Sequence, residues 1–251
     1  MSFDEPSPAS LSSSDKTPVS LPEAVHSALP EILISAASDP ALTEDLALVL
    51  LKRSDLPAQA LGQFSKNGSL MKSRKVKRAL IEHSRTPRHV SIPMVRHLFT
   101  FDLMRVALTP VVPADIKMAA EESLINRLER LTQGERFSLA HRASGRVAAE
   151  LLRDPELRVI RAALENSRMT EAAIIAALLR HDASAALASA VCEDSGWSAR
   201  REIRIALLRI EATPLDWALE FAQSLPAVLV REILQDSRLP AAAKERLRSD
   251  A

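Results

Sequence analysis

From Ser20 onward the chain places an apolar residue every three or four positions almost without a break, and no segment alternates apolar and polar residues as a half-buried strand would. That spacing predicts helices throughout. The run Ser20-Leu21-Pro22-Glu23 marks the first start, with a hydroxyl at the N-cap and a carboxylate three residues on. Pro22 fits there because first-turn N–H groups have no helical partner to lose. Residues 1–19 are rich in Ser and Pro, carry no period, and read as a disordered tail. Residues 20–251 read as a single helical domain.

The apolar pattern repeats. Val76 to Pro87 aligns without gaps to Val159 to Thr170 and to Ile203 to Pro214, with a weaker copy from Leu229 to Pro240 and another ending at Pro113. Each copy carries apolar positions spaced for one helix face, then a polar corner, then Pro or Thr opening the next helix. Pro87 to Pro113 and Pro214 to Pro240 are each 26 residues. A period of roughly 20–50 residues marks a stacked array of repeats. A short helix pair cannot bury its own apolar stripe, whereas stacked neighbours share one continuous core. Proline at the corner stops one helix and presets the first turn of the next. The expected fold is all-α, an α-solenoid of short helix pairs wound into a superhelix. Further corners are expected at Pro30, Pro40, Pro57, Pro155 and Pro226, and a diverged unit around Ala143 to Val147.

Composition supports this. Apolar residues make up 47% of the chain but aromatics only 3%, with no Tyr and five Gly, so Leu, Ala, Val and Ile must fill the interior. Sheet proteins lean on aromatic and β-branched residues and spend Gly on hairpins.

The corner Ala79-Leu80-Ile81-Glu82-His83-Ser84-Arg85-Thr86-Pro87 resembles those of leucine-rich-repeat-variant and HEAT-like bacterial repeats, over roughly residues 40–250. The run Arg142-Ala143-Ser144-Gly145-Arg146-Val147 and the segment Arg161 to Thr170 are similar to a family of uncharacterised bacterial repeat proteins. The resemblance implies an armadillo-type fold and protein binding, with no established activity. Some leucine-rich-repeat-variant proteins carry a Cys-ligated iron–sulfur module, and this chain, with Cys192 alone, departs from that pattern.

The search for chemistry narrows the function classes. A formal charge of +1 gives no global field toward nucleic acid or membrane. One cysteine excludes an internal disulfide framework and any Cys-based metal cage. The longest apolar run, Ala172 to Leu179, falls well short of the roughly 18–20 residues of a membrane span, and the first residues lack the apolar core of a secretory signal. A cytoplasmic protein without membrane association is expected. There is no phosphate-binding glycine loop, nucleophile elbow or HExxH, and the six histidines never form an i, i+4 pair. No catalytic residue, metal or cofactor is therefore expected. Cys192 sits in an Ala-rich stretch and reads as a small buried hydrophobe. Trp197 and Trp217 read as plugs at helix junctions in an otherwise Leu/Ala core.

Charge is unevenly spread. From Lys66 to Arg105 there are ten basic and two acidic residues, about +8 against about −7 for the remainder. The candidate binding residues are Lys72, Arg74, Lys75, Lys77, Arg78, Arg85 and Arg88. They fit a solvated helix face, an acidic protein partner or intramolecular pairing, or the phosphates of a nucleic acid. Against base stacking, the window's only aromatic residues are Phe99 and Phe101. Separately, Arg85, Arg168 and Arg238 each follow a Ser at the same corner position, which makes them either a ladder of donors or exposed neighbours of a capping Ser. The expected function is a non-enzymatic scaffold or adaptor for a protein partner. The alternative is nucleic-acid binding through residues 66–105.

Overall fold

The computed structural model describes residues 20–249, so the tail at 1–19 lies outside the described residues. All regular structure among the described residues is helical. The Contact pattern divides the chain into two compact units, one ending at Val90 and one beginning at Ser91. In the first, α1 (Leu21–Ala24), α2 (Pro30–Ser38), α3 (Glu44–Leu51), α4 (Ala58–Phe64) and α5 (Arg74–Glu82) precede α6 (Arg88–Val95), which runs across the division. In the second come α7 (Thr100–Leu108), α8 (Ala114–Ile125), α9 (Gln133–Arg142), α10 (Gly145–Glu150), α11 (Leu157–Leu164) and α12 (Glu171–Leu179). They are followed by α13 (Ala185–Glu193), the single turn α14 (Ser195–Ser198), α15 (Arg201–Arg209), α16 (Leu215–Gln223), α17 (Ala227–Asp236) and α18 (Ala241–Ser249).

Local chemistry sets these boundaries. The Glu23 carboxylate accepts from both the N–H and the hydroxyl of Ser20, as the capping-box spacing predicts. Thr43, Ser73, Thr132, Ser144, Thr170 and Ser184 each accept the N–H three residues on, satisfying a donor that the helix itself leaves open. Pro57, Pro113, Pro214 and Pro226 are N-caps, and Pro30 is a first-turn residue. The five corner residues Pro87, Pro113, Thr170, Pro214 and Pro240 each stand immediately before a helix. Pro93, inside α6, is the exception to proline as punctuation.

Packing follows the apolar stripes. On α5 the buried residues are Val76, Leu80 and Ile81; on α11 they are Val159, Ile160, Ala162, Ala163 and Leu164. In the first unit α2 packs on α4 and α3 on α5. In the second, each of α8, α10, α12, α15 and α17 packs on the next in that order, while α9, α11 and α13 form another such row and α16 packs on α18. Alternate helices are thus neighbours, until α14 is interposed and shifts the alternation by one. The cores are Leu, Ala, Val and Ile, with Phe64 and Phe221 as the largest fully buried side chains.

The polar corners solve a shared problem, the carbonyls left open at each helix end. His83 and Asn166 occupy the same position in the repeat and are both buried. Asn166 Nδ2 donates to the carbonyls of Ala140 (2.8 Å) and Ala143 (3.1 Å), and its Oδ1 accepts the Arg168 N–H at 2.8 Å. His83 Nδ1 accepts the Arg85 N–H at 3.2 Å, which leaves Nε2–H to donate to the Arg53 carbonyl at 2.8 Å. Thr86 and Thr213, also at one repeat position, each donate to the carbonyl six residues back, Leu80 and Leu207. Ser237 donates to the Leu208 carbonyl and accepts the Leu239 N–H.

Candidate functional site

The basic candidates of the first unit are set out by α5. Ser73 caps the helix, Val76, Leu80 and Ile81 hold its inner face, and Arg74 and Lys75 are left exposed, with Lys77 and Arg78 half-buried. The first turn of α5 carries no acid, so its cations add to the positive end of the helix dipole instead of offsetting it. Lys72 precedes the helix and is exposed, as is Arg88 at the start of α6.

Part of this charge is answered within the unit. Lys75 Nζ lies 3.7 Å from Glu44 on α3, and Arg78 Nε lies 3.8 Å from Glu82 one turn on. Arg85 Nη1 donates to the Asp55 carbonyl at 3.2 Å. The Asp55 carboxyl is held below its usual range, first by hydrogen bonds from the Arg53 guanidinium and then by the charges of Arg53 and Arg85. The Asp55 carboxylate is exposed while the Arg53 side chain is half-buried, so solvent screens the pair and it orders the corner more than it stabilises it. Of the remaining basic residues in the segment, Arg96 and Arg105 lie in the second unit.

The three corner arginines have different surroundings. Arg85 reaches the Asp55 carbonyl. Arg168 is exposed, with its backbone N–H on Asn166 and its carbonyl against Gly145. Arg238 Nη2 donates to the carbonyls of Leu179 (3.2 Å) and Arg180 (3.3 Å). Within the second unit, the Arg168 corner leads from α11, in the row of α9 and α13, into α12. The Arg238 corner leads from α17, in the row of α12 and α15, into α18. Equal position in the sequence repeat therefore does not put these two arginines at corners of the same sense. The neighbouring Ser84 and Ser167 are exposed, and the cap of α12 is Thr170.

Other groups with chemical potential are committed structurally. Cys192 is fully buried, and burial pushes its thiol up to about 12, so it packs as a small hydrophobe. Trp197 is half-buried; its Nε1–H caps the Leu164 carbonyl at 3.0 Å and Arg200 stacks on its ring at 4.3 Å. Trp217 packs on Phe221 with centroids 5.6 Å apart. A groove of about 430 Å³ in the second unit is bordered by Glu129, Arg136, Glu150 and Asp154. Its one buried carboxylate is locked: Asp154 accepts from Arg136 Nε at 2.6 Å and from the Glu156 N–H at 3.0 Å. No group of three or more metal-ligating side chains occurs among the described residues, and no described helix is long and apolar enough to cross a membrane.

Sequence reasoning took His83 for a surface or corner histidine and passed over Asn166. The available signal was a polar residue directly after Glu82 and Glu165, at a position the repeat fills with Ile210 in its third copy.

No family model, curated protein or solved structure matches this chain. What the fold defines is an all-helical protein in which short helices pack on their alternate neighbours.

Proposed function

We propose that the chain is an α-solenoid of the HEAT or leucine-rich-repeat-variant kind, acting in the cytoplasm as a non-enzymatic scaffold for a protein partner. The observation that carries the reading is the recurrence of polar bonds about one repeat apart within each unit. His83 reaches the Arg53 carbonyl, Arg127 the Leu98 carbonyl, Trp197 the Leu164 carbonyl and Ser237 the Leu208 carbonyl, across 29 to 33 residues. Bonds of that span tie each helix pair to its predecessor, which is how repeats that cannot fold alone gain a shared core. The corner motifs that resemble those families supply these bonds at His83 and Ser237.

A partner surface is supported by the α7–α8 hairpin. Phe99, Phe101, Val111 and Met118 are 64%, 41%, 69% and 58% exposed. Four large apolar side chains left exposed along one hairpin supply apolar surface that a protein partner would cover. The test is affinity capture from native lysate with nuclease present, comparing the wild type with a Phe101→Asp, Val111→Asp, Met118→Asp variant of unchanged helicity. The scaffold reading expects a partner retained by the wild type and lost by the variant. Equal capture by both, or capture abolished by nuclease, refutes it.

A further inference from the structure

A second surface, in the first unit, has the opposite chemistry. A groove of about 440 Å³ lies between α4 and the start of α6, with Gln59, Gln63, Lys66 and His89 on its walls. Gln59 and Gln63 are one helical turn apart and so share a face. Their amides, the Lys66 ammonium and the His89 imidazole make no hydrogen bond or ion pair among the described residues. Space is left for a ligand, because a side chain at Gly62 would meet no atom within 4 Å. The Ser65 hydroxyl is already spent on the Gly62 carbonyl at 2.8 Å. No carboxylate lines this groove, whereas the grooves of the second unit are bordered by Glu129, Glu150 and Asp154, by Asp182, and by Glu211.

The rest of the basic segment extends the same character. The chain leaves the groove at Lys66, passes Lys72, Arg74, Lys75, Lys77, Arg78 and Arg88, and returns to it at His89. From Lys52 to Val90 there are ten basic residues against Asp55 and Glu82. Lys75, Arg78 and Arg85, with Arg74 and Arg88, have interactions of their own, yet the segment keeps its excess of positive charge.

We propose that this groove and its flanking cations bind the phosphodiester backbone of double-stranded nucleic acid, without reading base sequence. Lys, Arg, Gln and backbone-facing donors are the groups proteins set against phosphate oxygens. A chain segment with ten cations against two acids on either side of the groove suits a long polyanion better than a single phosphate. The first unit offers no exposed Phe, Tyr or Trp ring among the described residues for stacking on unpaired bases, because Phe64 is fully buried. This inference is independent of the scaffold reading, and a nuclease-resistant protein partner leaves it untouched.

The test is fluorescence anisotropy of the full chain with a labelled duplex of arbitrary sequence at about 50 mM salt. Parallel arms use a single strand of the same length, a poly-glutamate peptide, and inorganic phosphate as competitor. Duplex binding should weaken linearly on a log–log salt plot, with a slope of about −0.9 for each phosphate neutralised. Lys66→Ala should weaken binding about three- to tenfold and shallow the slope by about 0.9. Gln63→Glu should weaken it further by placing a carboxylate in the groove. Arg201→Ala, an exposed cation on α15, should change nothing. The proposal is overturned if no duplex binds at that salt. It is equally overturned if the single strand or poly-glutamate binds as tightly, if millimolar phosphate displaces the duplex, or if the groove variants behave like Arg201→Ala.

Discussion

Gly145 offers the sharpest test of how the repeats are joined. It opens α10, and a Cβ built there runs into the Arg168 carbonyl oxygen and lies 3.3 Å from the Arg168 carbonyl carbon. The obstacle is backbone, and that backbone is fixed by the Asn166 hydrogen bonds, so no rotamer change relieves the clash. Gly145→Ala should thus incur an overpacking penalty of about 1–3 kcal/mol. Against it stands the gain of about 0.5–1 kcal/mol that Ala brings to a helical position. The net expectation is a loss of about 1–2 kcal/mol. With a urea slope of about 2 kcal/mol/M, the midpoint should fall by about 0.5–1 M at an unchanged slope, followed by circular dichroism. Gly134→Ala, on α9 with nothing within 4 Å of the added carbon, should shift the midpoint slightly upward instead. If Gly145→Ala matches or exceeds Gly134→Ala in stability, the close approach between these corners does not govern the packing of α10.

Asn166→Ala leaves two buried carbonyls and a half-buried N–H without their partner and should cost about 2–3 kcal/mol by urea titration. His83→Asn, which installs the residue used at the equivalent corner, should cost less than His83→Ala; equal losses would deny the shared role. Cys192 should be inert to a thiol reagent at pH 8 in the native protein and react only on unfolding. Because its folded pKa is raised, the stability it contributes is present below the unfolded value and lost as pH climbs toward about 12, a loss that Cys192→Ala should abolish in alkaline denaturation. Glu135 is held below its usual range, first by the Thr132 backbone N–H and then by its hydroxyl. That contribution is present above the unfolded pKa and lost as pH falls through the folded one. Glu135→Gln should therefore lower stability at pH 7 and converge with wild type in acid.

Helices were legible because their determinants are local: apolar spacing, a capping hydroxyl, a proline. Ser20 with Glu23, and the corners before α6, α8, α12, α16 and α18, stand where spacing alone puts them. The Thr132–Glu135 box carries the same local signal. Row membership was not legible, since it depends on how many helices intervene and not on what any corner looks like. The groove of Gln59, Gln63, Lys66 and His89 was hidden for a related reason: two uncharged amides carry no charge signal, and only the fold sets them beside His89.

The corner motif itself explains the arginine positions. Its buried polar residue, its Thr and its proline answer the open carbonyls and donors at any helix junction, so the same letters serve a corner leading from either row. Once α14 has shifted the alternation, the sequence copies at Thr170 and Pro214 mark junctions of opposite sense: α12 packs on α15, and it is α15, not α16, that continues its row. A sequence repeat of this kind therefore predicts where the chain turns, and it predicts a line of side chains only across repeats that contain the same number of helices. Arg168 and Arg238 fail that condition, and each meets its own local partners, the Asn166 corner in one case and the Leu179 and Arg180 carbonyls in the other.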